Sequence, residues 1–133
     1  MNPCTTFPIA SDADIVTARQ QGRTFVLQLG FSSPDARVVA TAISELARNI
    51  VLYAARGEIV LRPVERDGRS GVQVIARDEG PGISDINRAA IDDLSAMEGL
   101  GLGLRGTRRL VDEFEIISAA GQGTTVALKK WKT

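Results

Sequence analysis

Val39, Ala42, Ile43, Leu46, Ile50 and Tyr53 recur at the spacing of one helix face, and a helix with a single apolar stripe is stable only when that stripe lies on another layer. The rest of the chain must therefore supply that layer. Within the same stretch, AISELARNIVLY from Ala42 to Tyr53, Glu45 and Asn49 stand four residues apart, which stacks their side chains on one face. At about 100° per residue, Asn49 falls at the margin of the stripe and Glu45 one step further out. Polar groups placed there face either a cleft or open solvent, and the pair alone does not decide between the two.

The supporting layer is legible downstream. Glu58 to Val64 alternates, with Ile59 and Leu61 on one side and Glu58 and Arg62 on the other, the period of a half-exposed strand. Asp67 and Gly68 then turn the chain into a second strand, Gly71 to Arg77, which places Val72, Val74 and Ala76 on one face and predicts an antiparallel hairpin. Upstream, Thr5 to Ile9 reads as a short edge strand, because Pro8 cannot donate to a central ladder. Ser11 caps a first helix with an apolar face of Ile15, Ala18, Gly22, Phe25, Val26 and Leu29. Gly22 there costs about 1 kcal/mol relative to alanine unless a neighbour packs closely. Ser32 or Ser33, followed by Pro34, opens the second helix, which runs to about Ala54 and is ended by Arg56 and Gly57. Leu104 to Phe114 reads as a third helix, and Glu115 to Ala119 and Thr124 to Lys130 as two closing strands. Residues 83–98 are polar, acidic and weakly periodic, the character of a lid. The order of elements predicts a two-layer α/β sandwich with helices on one sheet face.

Composition narrows the chemistry. A chain of 133 residues that is 44% hydrophobic suits one domain with one core, residues 1–133. Sixteen basic and sixteen acidic residues cancel, and no basic stripe with interleaved aromatics points to a nucleic acid. No apolar run approaches about 18 residues and the N-terminus lacks a signal pattern, so a cytoplasmic location without membrane is expected. With one cysteine, Cys4, and no histidine, disulfides, thiolate or imidazole metal sites and histidine acid–base chemistry are excluded. What remains is carboxylates, amides, arginines and backbone, which suit hard cations such as magnesium.

Three glycine-rich stretches supply places for a ligand. Asp78, Glu79, Gly80, Pro81 and Gly82 follow a strand, where a carboxylate can accept from an exocyclic amine and glycines let a flat ring approach; read alone, the stretch is equally a turn. Gly99, Leu100, Gly101, Leu102, Gly103, Leu104 and Arg105 open the third predicted helix, whose free amides would receive phosphate oxygens. Gly121 to Thr125 is a tight turn whose hydroxyls could support Asp78 or a base. Neither a dinucleotide fingerprint nor a GxxxxGK[ST] loop occurs.

Taken in order, the asparagine-bearing helix, DxGxG, GxGxG and the closing GxGT resemble the GHKL superfamily of ATP-binding domains. ISELARNI, ARDEGPGI, the GLGLGL run, VDEFEI and the C-terminal KW narrow the likeness to RsbT-type serine/threonine kinases, switch proteins of bacterial stress-response signalling. The resemblance covers nearly the whole chain and implies the Bergerat fold, a mixed sheet covered by helices on one face. It implies Asn49 for magnesium, Asp78 for the adenine amine, and Gly80 and Gly82 for the close approach of the base. Gly99, Gly101 and Gly103, with Leu104 and Arg105, would wrap the triphosphate, Thr124 would sit near the adenine, and Glu45 would be the general base. Arg48 reaches phosphate, stays solvated or pairs with an acid.

The resemblance therefore implies an ATP- and magnesium-dependent protein serine/threonine kinase acting on STAS-domain antagonist and scaffold proteins of a stressosome. Once released, it would activate a PP2C-type phosphatase. The main rival is an anti-sigma factor that holds a sigma factor directly in an ATP-dependent way. A detached histidine-kinase domain fits less well, because the chain has no phosphoacceptor histidine.

Overall fold

The computed structural model describes residues 4–78, 111–119 and 123–132. Strand β1 (Thr5–Ile9) leads into helices α1 (Asp12–Gln28) and α2 (Ser33–Ala54), followed by strands β2 (Gly57–Arg66), β3 (Arg69–Asp78), β4 (Glu113–Ala119) and β5 (Gly123–Trp131). The five strands form one sheet in the order β1-β2-β3-β5-β4. All four pairings are antiparallel, so the described sheet is not the mixed one that the family likeness implied. β5 pairs with both β3 and β4, and that insertion makes each neighbour antiparallel.

Alternation decides which sheet face is covered. Phe7 and Ile9 on β1, Ile59 and Leu61 on β2, Val72, Val74 and Ala76 on β3, and Val126 and Leu128 on β5 are buried with Val39, Ile43, Leu46 and Ile50 of α2. This is the predicted two-layer α/β sandwich, with α2 spread over the sheet and α1 packed mainly on α2. Gly22 shows why α1 tolerates a glycine at its centre: a Cβ there would collide with Ile43 Cδ1. Close helix approach offsets the propensity cost.

Helix and turn ends follow local chemistry. Ser32 caps α2, its hydroxyl accepting from the Asp35 N–H at 3.2 Å, with Pro34 in the first turn. Ser11 holds the N-cap position of α1 without a side-chain bond; instead the Asp14 carboxylate accepts from the Ala10 N–H at 2.9 Å. Asp67 and Gly68 have φ of 53° and 78°, the pair of positive angles that a tight hairpin with matching twist requires.

The helix expected over Leu104 to Phe114 is corrected at its end, since Glu113 and Phe114 belong to β4; residues 104–110 lie outside the described residues. Glu113, Phe114, Glu115 and Ile116 alternate, and Phe114 and Ile116 pack against the core, so strand pairing buries what a helix would have split between faces.

At the end of the sheet where β5 finishes, Trp131 is 6% exposed and heavily tied. Its backbone N–H donates to Asp112 Oδ2 at 2.7 Å and its indole N–H to Glu113 Oε2 at 3.1 Å. Arg66 lies over the ring at 5.1 Å and Arg69 at 5.8 Å. Arg66 also reaches both Glu113 oxygens, at 3.0 and 3.4 Å. Beside it, the largely buried Lys130 lies 3.9 Å from both Asp35 at the start of α2 and Asp112 before β4. Among the described residues, no helix is long and apolar enough to cross a membrane.

Candidate nucleotide and phosphoryl-transfer site

The site is built on α2. Its buried line of Val39, Ile43, Leu46 and Ile50 fixes the rotation of the helix on the sheet. Glu45 and Asn49 are consequently half-buried along one margin, the position that their spacing predicts. The Asn49 amide nitrogen is buried without a hydrogen-bond partner, an unsatisfied group of a kind that folded proteins rarely keep without use. Glu45 has a partner. Its carboxylate lies 3.6 Å from Arg48, with 20% of the Glu45 side chain and 47% of the Arg48 side chain exposed. Of the alternatives that the sequence left open for Arg48, the structure shows pairing with an acid.

Asp78 is the last residue of β3, in register with Gly57 of β2 and Thr124 of β5. Its Oδ1 accepts from the Thr124 backbone N–H at 3.2 Å, so the residue that the sequence placed near Asp78 supports it through its backbone. Gly57 brings α2 close to this point. A Cβ built there would overlap the Arg77 carbonyl and lie 3.0 Å from Ile50 Cγ2 and 3.1 Å from Asp78 Cβ. Ile50 follows Asn49 directly, so a residue without a side chain lets the Asn49 segment and the Asp78 strand end share one neighbourhood.

Asp78, Gly57 and Thr125 border a cavity of about 710 Å³ at the ends of β1, β2 and β3, whose wall includes Ile9, Arg56 and Arg77. The volume is that of an ordinary small-molecule site. Glu45 and Asn49 are not among its lining residues. Gly80, Gly82, Gly99, Gly101, Gly103, Leu104, Arg105 and the expected lid over 83–98 lie outside the described residues.

Comparison with known proteins decides the family. The model of the histidine kinase-like ATPase domain matches residues 9–130. The serine/threonine-protein kinase RsbT of Bacillus subtilis (strain 168) is 47% identical over 131 residues, which is 98% of each chain. The chain belongs to the histidine kinase-like ATPase family, as an RsbT-type serine/threonine-protein kinase. Anti-sigma F factors stand further off: that of Caldanaerobacter subterraneus subsp. tengcongensis is 30% identical over 120 residues, covering 86% of this kinase and 82% of the factor. That of Geobacillus stearothermophilus is 30% identical over 120 residues, covering 85% and 81%. Use of ATP follows from the family.

In this RsbT-type kinase, two features of the site escaped sequence reasoning. One is Gly57, read only as a helix stop although it also faces a strand end. The other is the identity of the acid that Arg48 pairs with, Glu45, for which the three-residue spacing on a helix was the available signal.

Proposed function

We propose that residues 1–133 form a single magnesium-dependent kinase domain that transfers the γ-phosphoryl group of ATP to a serine or threonine of a STAS-domain protein, an antagonist or scaffold of a stressosome. The reading rests above all on the margin of α2, where a half-buried carboxylate and an unpartnered buried amide stand one turn apart. Near-complete alignment with an RsbT kinase supports it.

Each residue has a task that its chemistry allows. Asp78, fixed by the Thr124 N–H, accepts from the exocyclic amine of adenine, with Gly80, Gly82 and Thr124 beside the base. Gly99, Gly101, Gly103, Leu104 and Arg105 receive the triphosphate through backbone amides and one guanidinium. An amide whose buried end lacks a protein partner fits an oxygen donor to a hard cation, because its two ends exchange by rotation; Asn49 would hold magnesium. When bound, the cation would neutralise charge on the phosphate oxygens. Glu45 takes the proton of the acceptor hydroxyl as that oxygen bonds to the γ-phosphorus and the bond to the ADP oxygen breaks.

Released from its STAS partners, the kinase would bind and activate a PP2C-type phosphatase, all within the cytoplasm. A second reading has its own support in the 30% identity to anti-sigma F factors: direct, ATP-dependent capture of a sigma factor. Incubating the purified chain with radiolabelled ATP, magnesium, a STAS-domain protein and a sigma factor separates the two. Label on a STAS serine or threonine is expected. An unlabelled STAS protein together with ATP-dependent co-elution of the sigma factor would give the second reading the place of the first.

A further inference from the structure

Arg48 has a defined place beside Glu45, and that place suggests a task. On a helix it lies about 60° to one side of Glu45, one turn on, while Asn49 lies about 40° to the other side. Glu45 thus stands between a guanidinium and an amide. At 3.6 Å the contact is an ion pair beyond hydrogen-bond length, which biases the direction of the carboxylate and leaves room for a hydroxyl to hydrogen-bond to it. A glutamate side chain has three rotatable bonds, and a general base must bring one oxygen within about 2.6–3.2 Å of the proton it removes. Among the described residues, Arg48 is the charged group that ties this carboxylate.

We infer that Arg48 is a positioning residue for phosphoryl transfer, holding the Glu45 carboxylate toward the acceptor hydroxyl. The inference rests on the reading of Glu45 as the base. Because Arg48 is nearly half exposed and Glu45 mostly covered, the guanidinium acts from the solvent side, leaving the inner side of the carboxylate for the incoming hydroxyl. A phosphate contact by Arg48 would instead spend the guanidinium on ATP, and the two roles differ in what their loss changes.

A double-mutant cycle reads that difference. Steady-state phosphorylation of the partner and calorimetric ATP affinity are measured for the intact chain, Arg48→Ala, Arg48→Lys, Glu45→Gln and Arg48→Ala/Glu45→Gln. Arg48→Ala should lower kcat about tenfold, a part of the roughly 10²–10⁴-fold that a positioned base contributes, and leave ATP affinity within about twofold. Arg48→Lys should recover much of the lost kcat, since a cation remains although its fork does not. In the Glu45→Gln background, Arg48→Ala should change the residual rate less than about twofold, because nothing is left to position. An equal kcat loss in both backgrounds, an unchanged kcat, or ATP affinity that falls with Arg48→Ala overturns the positioning role. Undiminished transfer by Glu45→Gln overturns the base assignment, and with it this inference; a silent Glu45→Gln is a different result from a silent Arg48→Ala, so the two failures are distinguishable.

Discussion

The margin of α2 and the Trp131 end of the sheet both concentrate charge, but they hold it differently. Around Trp131, Glu113 serves the indole N–H, Arg66 and Lys129, while Asp112 serves a backbone N–H and Lys130. Every carboxylate there has several partners. On α2, among the described residues, Glu45 has one long contact and Asn49 keeps a buried nitrogen with none. A network with shared partners fixes the end of a sheet, whereas polar groups left loosely tied remain available to a ligand. On the proposed function, the contrast separates groups that maintain the fold from groups that would serve the reaction.

Substitutions can break that contrast, and the largest effect should come from the α2 margin. Glu45→Gln should reduce phosphoryl transfer by roughly 10²–10⁴-fold while the thermal midpoint stays nearly unchanged; a large loss of stability measured by calorimetry would assign Glu45 to the fold. Trp131→Ala should do the reverse. It removes a buried indole packed under two arginines and should cost about 3–5 kcal/mol in denaturant unfolding, and a cost below about 1 kcal/mol would show that the network carries little. Asp78→Asn stands between the two regions. It should weaken ATP binding by about 1.5–3 kcal/mol, the worth of a hydrogen bond to a charged group, in a calorimetric titration. The smallest effect is a pH dependence. Desolvation raises the Glu113 carboxyl, but the Trp131 indole N–H and the Arg66 hydrogen bond, with the charges of Arg66 and Lys129, together hold it below its ordinary value of 4.5. A carboxyl depressed by folding stabilises the protein above that ordinary value, and the contribution is lost as pH falls through the lower folded value. Stability followed below pH 4.5 should therefore decline, and Glu113→Gln should make that decline shallower.

Much of the frame could be read from sequence where a local rule and burial agreed. The stripe of α2, its Ser32 and Pro34 start, and the Asp67–Gly68 turn each depend on neighbours within a few residues, and each was found where expected. Phe114 failed because a helix opened by the glycine run was read straight through Glu113, past the point where Glu113 to Ile116 begins to alternate. The Asp35–Lys130 pair had no local signal at all, since a helix start and the last strand meet only through the sheet. In the site, the spacing of Glu45 and Asn49 sufficed to place both on one margin. Thr124 was anticipated beside Asp78 for its hydroxyl; that its backbone N–H donates to Asp78 had no local signal, because register emerges only when strands pair.

One consequence lies in the path of the chain between β3 and β4. β3 ends at Asp78, and β4 begins at Glu113, which is level through Lys129 with Gln73, five residues back along β3. That is about 17 Å at the usual rise of a strand. Asp112 secures the returning end to Trp131 and to the Lys129 carbonyl. The stretch carrying the glycine motifs is therefore tethered at two fixed posts, one beside Asp78 and one beside Trp131. Residues 79–112 join the two posts, and a chain of that length can reach on the order of 100 Å when extended, so the sheet fixes where this stretch starts and finishes but not how long it must be.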